Sequence, residues 1–121
     1  MALRYLLDEH HRGPLFRYIQ RRNLGGEFLL DVVRVGDLAE LPLGASDSTI
    51  IQWADAHNRI LVSADVTTLP RHLADHLSAG GNSQGIFLTL AAPVRDIYDF
   101  LLAAAYASEP SEWQNRYVFI P

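Results

Sequence analysis

The sequence predicts a three-layer α/β/α sandwich on a mainly parallel sheet of about five strands, with residues 1–121 forming one domain. Three observations predict it. Five short runs rich in β-branched and aromatic residues, at 3–7, 31–35, 60–63, 85–89 and 117–120, are mostly near-continuously apolar, as strands covered on both faces are. Segments of helical character separate them, so the order reads βαβαβαβαβ, which implies parallel pairing through right-handed crossovers. A chain of 121 residues suffices for one such core and is too short for two.

The helices carry their own signals. The first starts near Pro14, whose fixed φ suits an early helical position, and sets Leu15, Phe16 and Ile19 inward with Arg17, Arg21 and Arg22 on another face. Residues 23–26 end it. Ser46 is a good N-cap for the second helix, which buries Ile50, Ile51 and Ala54 with Trp53 alongside. The third spans 69–78, with Pro70 in its first turn and Gly80 and Gly81 past its end. The fourth runs over 94–107 with Ile97, Phe100, Leu101 and Ala104 inward, and stops before Pro110. The stretch 78–84 is too short to be a linker between domains.

Two residue types are missing, and each absence removes mechanisms. Without Cys there is no disulfide, Cys-ligated zinc, iron–sulfur cluster or thiol nucleophile. Without Lys there is no phosphate-loop lysine, no Schiff base and no lysine counter-charge for an aspartyl-phosphate. A net charge of −4 argues against broad adhesion to nucleic acid or anionic membrane, but not against a local basic groove. No run approaches the roughly 18 apolar residues of a membrane span, and the N-terminus lacks a charged-then-apolar leader pattern, so a cytoplasmic domain without membrane association is expected.

In an open parallel sheet, ligands bind at the carboxyl ends of the strands. Asp8 and Glu9 follow the first strand, Asp65 follows the third, and Asp47 opens the second helix. Three separate segments thus each deliver a carboxylate to one edge. Taken singly each has a plainer account: the helix dipole for Asp47, a solvated turn for Asp8, a turn or cap for Asp65. The cap account is weakest, because Thr68 and Pro70 already supply a helix start. Carboxylates converging in one pocket raise each other's pKa unless a cation sits among them. A hard divalent ion such as Mg²⁺ is the simplest occupant, and it would polarise a phosphoryl oxygen and activate water for in-line attack on a phosphodiester.

Taken in order, Leu6-Leu7-Asp8-Glu9-His10, Asp31-Val32-Val33-Arg34-Val35 leading to Asp37, Gly44-Ala45-Ser46-Asp47 with Ile50-Ile51 and Trp53-Ala54, and Asn58-Arg59-Ile60-Leu61-Val62-Ser63-Ala64-Asp65 resemble a PIN-like domain. The nearest subgroup is the small bacterial DUF5615 type, similar to toxin ribonucleases of the VapC class. The resemblance covers roughly the first 70 residues, and the later strand, helix and terminal strand fit the same plan. It implies Mg²⁺- or Mn²⁺-dependent cleavage of RNA, with Asp8, Asp47 and Asp65 as catalytic and metal-holding residues and Glu9, Ser63 and Thr67 in support. It also implies the toxin component of a toxin–antitoxin system; an antitoxin protein from an adjacent gene and a second copy of the chain are candidate partners. The subgroup carries a further Asp two residues after the position of Asp65, where this chain has Thr67. A hydroxyl can hold a metal's water but carries no charge, which leaves one or two ions open. It also raises a second reading, a catalytically impaired PIN-like binding or regulatory module.

Other signals are weaker. A phosphoacceptor receiver domain shares the acidic layout but needs a lysine after strand five, where Arg116-Tyr117-Val118 stands, and a broad guanidinium does not readily replace a compact ammonium. His72 and His76 have the spacing of a zinc-protease helix, but Leu73 occupies the place of its general base. His10 and His11 flank the acidic pocket and can orient a phosphate or shuttle a proton, beside the plainer reading as loop histidines. Arg12 lies next to the same edge and suits bidentate phosphate contacts with RNA.

Overall fold

The computed structural model describes residues 2–121. Its sheet comprises β1 (Arg4–Leu7), β2 (Asp31–Arg34), β3 (Ile60–Ser63), β4 (Ile86–Thr89) and β5 (Tyr117–Ile120), in the order β2-β1-β3-β4-β5 and parallel throughout. Four helices connect the strands: α1 (Pro14–Gly25), α2 (Asp47–Ala56), α3 (Leu69–Ser78) and α4 (Val94–Ala107). Short 3₁₀ turns follow β1 (Glu9–His11) and α4 (Pro110–Glu112). No helix among the described residues is long and apolar enough to cross a membrane.

Alternation along the strands divides the core in two. Tyr5, Leu7, Ile60, Val62 and Phe87 face α1 and α4, whereas Leu6, Leu61, Ile86 and Leu88 face α2 and α3. β3 and β4 are buried along their whole length and β1 at all but its first residue, as expected of inner parallel strands. The expectation of cover on both faces fails at the edges. β2 has no fully buried residue, and Tyr117 and Phe119 of β5 lie in solvent.

A second departure concerns handedness. The chain steps from β1 to β2 in one direction with α1 on the first face, and from β2 through β3 to β4 in the other direction with α2 and α3 on the second face. These three crossovers share one hand. The step from β4 to β5 continues in the second direction, yet α4 returns to the face of α1, so this crossover has the opposite hand. Uniform right-handedness is therefore broken once, against a strong general rule. The physical reason is coverage. Ile97, Tyr98, Leu101, Ala104 and Ala105 of α4 are all buried, and α1 alone offers only Leu15 and Ile19 as buried residues. Placing α4 beside α1 gives each face two helices, tied by a Tyr18–Tyr98 edge contact of 5.2 Å and a Tyr5 hydroxyl that donates to the Leu101 carbonyl at 2.7 Å.

The return to β5 is narrow. Trp113 packs edge-on against Phe87 at 5.0 Å, and Gly85, at φ +113°, passes so close beneath that a Cβ there would run into the Trp113 carbonyl oxygen. Gly85→Ala is expected to destabilise the fold by on the order of 1–3 kcal/mol, from left-handed strain plus the clash. Urea unfolding with an unchanged slope and a lowered midpoint checks this; an unchanged midpoint contradicts it.

Candidate active site

The carboxyl ends of β1 and β3 lie at the point where successive connections diverge to opposite sides, the place where an open α/β sheet leaves a crevice. Asp8 continues β1 by one residue, its N–H donating to the Val62 carbonyl at 3.1 Å. The residue is 7 % exposed, and its side chain caps the 3₁₀ turn that follows. Oδ1 accepts from the His10 backbone N–H at 3.0 Å, and Oδ2 meets the His10 Nδ1 at 3.1 Å. The hydroxyl of fully buried Ser63, at the end of β3, donates to the same Oδ2. Hydrogen bonding to Asp8 and its charge raise the His10 pKa above the usual imidazole value.

Ser63 links the two strand ends, because its Oγ also accepts the Asp65 backbone N–H at 3.0 Å. Asp65 then organises the start of α3. Its Oδ1 accepts from the N–H and hydroxyl of Thr67 at 3.3 and 3.2 Å and from the Thr68 N–H at 3.0 Å, and its Oδ2 accepts from the Thr68 hydroxyl. These donors, the Thr68 hydroxyl foremost, hold the Asp65 carboxyl below the ordinary range. Thr68 sits at the N-cap position but makes no side-chain cap bond. Asp65 thus acts as a turn residue that fixes Thr67 and Thr68 ahead of α3, and it bonds no N–H of the helix itself.

Asp47 occupies the first turn of α2, behind Ser46, whose Oγ caps the helix by accepting the Thr49 N–H at 3.1 Å. Its Oδ2 lies 3.3 Å from His72 Nε2 on α3. Glu9 reaches across the mouth to accept the Gly44 N–H, fastening the turn after β1 to the loop before α2. A cavity of about 470 Å³ results, lined by Asp8, Glu9, His10, Asp47 and Asp65 above a floor that includes Ile50 and Leu61. The convergence of the three aspartates on one cavity is therefore present. They do not form a compact cage: among the described residues, no three His, Asp or Glu side chains group closely enough to hold a metal ion by themselves. Carboxylates that line one cavity without forming a cage suit a hard ion that takes one or two protein ligands and keeps its waters, which is the habit of Mg²⁺.

The remaining candidates separate. His11 turns to the other face, where its Nε2 lies 2.8 Å from the Thr89 hydroxyl, and burial lowers its pKa. Arg12 lines neither this cavity nor the groove beside His11. Its guanidinium donates to the Val35 carbonyl at 2.6 Å and to Asp37 at 3.1 Å. Asp37 also binds Arg34 at 2.7 Å, the main cause of its lowered pKa. Arg12 is thus a strut for the loop after β2. Thr68, Thr89 and His72 join the network without having been assigned to it. Thr68 stands three residues from Asp65, within reach of a local turn, whereas His72 meets Asp47 only once α2 and α3 are side by side, a relation that no local pattern reveals.

No family model, curated protein or solved structure matches the chain.

Proposed function

We propose that this chain is a cytoplasmic, Mg²⁺- or Mn²⁺-dependent endoribonuclease of PIN-like type, the toxin component of a toxin–antitoxin pair. The observation that carries the reading is the single cavity that Asp8, Asp47 and Asp65 line from three separate segments. Asp8 and Asp65 would hold the ion, with Asp47 reaching it directly or through water. A bound divalent ion supplies Lewis-acid polarisation of the phosphodiester and lowers the pKa of water. The protein's part is preorganisation. Ser63 and the His10 N–H fix the Asp8 carboxylate, Thr67 and Thr68 fix that of Asp65, and His10 stands at the rim to orient a phosphate oxygen. Glu9 keeps the rim closed on the α2 side through Gly44.

EDTA is expected to abolish cleavage of a labelled single-stranded RNA, and excess Mg²⁺ or Mn²⁺ to restore it. Cleavage that survives the chelator would sink the reading. One observation favours a second reading, an impaired binding or regulatory module: Asp65 already accepts four hydrogen bonds from Thr67 and Thr68. Calorimetric titration with Mn²⁺ separates the two, since an impaired site gives little heat and Asp65→Asn then changes nothing.

A further inference from the structure

Beside the acidic cavity, on the opposite face of the same sheet edge, lies a groove of about 490 Å³. It exists because α4 sits on the face of α1. The first turns of the two helices contribute Leu15, Val94 and Ile97 as apolar walls, and His11 and Thr89 supply polar groups. Among the described residues no carboxylate lines it, in contrast to its neighbour. His10 lines both, so the two spaces meet across the strand ends.

The hydrogen-bond pattern gives the groove a defined polarity. The Thr89 hydroxyl lies 3.3 Å from the Ser63 carbonyl and 2.8 Å from His11 Nε2; in the tautomer that leaves its single proton to the carbonyl, His11 Nε2–H donates to Thr89 Oγ1. In the neutral ring Nδ1 is then an acceptor, and it has no hydrogen-bond partner among the described residues. Trp53 Nε1 is the one buried side-chain nitrogen or oxygen left without a partner among those residues, so His11 Nδ1 retains contact with solvent. An apolar slot with one free acceptor, open to a site for a phosphate, matches a ligand that is flat and apolar at one end and anionic at the other.

We propose that this groove receives the base of the nucleotide next to the phosphodiester held in the acidic cavity, with His11 Nδ1 accepting a hydrogen bond from a ring N–H or amino group of that base. The assignment rests on the ribonuclease reading for the phosphate end. The apolar walls exclude water from the base, and the absence of carboxylates spares the nucleotide the repulsion that the first cavity presents to an anion without its metal.

The test uses the intact protein with Mn²⁺-free and Mg²⁺-loaded samples and three probes: inorganic phosphate, ribose 5-phosphate, and an ApA dinucleotide whose linkage is a non-hydrolysable methylene phosphonate. In amide NMR spectra all three are expected to shift residues 8–10 in the presence of Mg²⁺, and only the dinucleotide to shift residues 89–94. Ala91, exposed at the rim of the groove, tolerates a larger side chain, so Ala91→Trp should weaken dinucleotide binding about tenfold, the scale of one lost apolar burial. Phosphate binding should be unchanged, and Ala91→Phe should behave in the same way if tryptophan disturbs the loop. A dinucleotide that shifts residues 8–10 but leaves 89–94 unmoved, or that binds Ala91→Trp and Ala91→Phe as tightly as the parent, overturns the base site and leaves the ribonuclease reading standing. Failure of every probe to bind near Asp8 overturns the ribonuclease reading, and the base site with it.

Discussion

Asp8→Asn is expected to lower kcat for RNA cleavage by about a hundredfold to a thousandfold, the scale of removing one charged group that stabilises a phosphoryl transition state. The asparagine keeps the shape of the side chain and can still accept the His10 N–H that now lies 3.0 Å from Oδ1. Its amide NH₂ cannot accept the Ser63 hydroxyl that Oδ2 holds, so Ser63 must turn its proton elsewhere at a cost of about 1–3 kcal/mol. The fold survives this, because the two cores on either side of the sheet do not include Asp8. Charge and positioning are separable. Ser63→Ala leaves the carboxylate charged but removes a donor, and should cost about ten- to a hundredfold. Single-turnover cleavage, with circular dichroism as the check on folding, reads both; chelator-sensitive cleavage that persists unchanged in Asp8→Asn removes Asp8 from the site.

What the sequence could disclose follows the range of the interactions. The bounds of α3 were legible because Pro70 and the glycines at 80 and 81 act within a turn of the residues they govern, and the helix runs over Leu69–Ser78 as expected. The Ser46 cap was legible for the same reason. The face on which α4 packs was not. It depends on how much apolar surface each side of the sheet leaves open, and the general preference for right-handed crossovers points the wrong way here. Arg12 illustrates the same limit at the site. Proximity to Asp8 along the chain suggests phosphate binding, but Asp37, brought near by the loop after β2, takes its guanidinium. Asp65 lay between these cases. Its arrival at the acidic edge could be read from strand order, whereas its service to Thr67 and Thr68 depends on a turn in which Thr68 fails to cap.

Thr67→Asp is expected to raise Mg²⁺-dependent cleavage by about a hundredfold, on the scale of adding one metal-holding carboxylate to a site short of charge. Thr67 Oγ1 lies 3.2 Å from Asp65 Oδ1, so the new carboxylate would meet an existing one at hydrogen-bonding range without the hydroxyl proton that now joins them. Two like charges at that separation disfavour each other's ionisation and loosen the turn before α3. The metal-free variant should therefore melt below the parent. A divalent ion that binds only the folded protein reverses this by mass action, so added Mn²⁺ should raise the melting temperature of the variant more than that of the parent. The two measurements together discriminate between the readings of this site. Tighter Mn²⁺ with faster cleavage means that the parent's activity is limited by the charge that Thr67 lacks. Tighter Mn²⁺ with no gain in cleavage means that the ion is held away from the phosphodiester, and the impaired-module reading then accounts for the cavity better than the nuclease one.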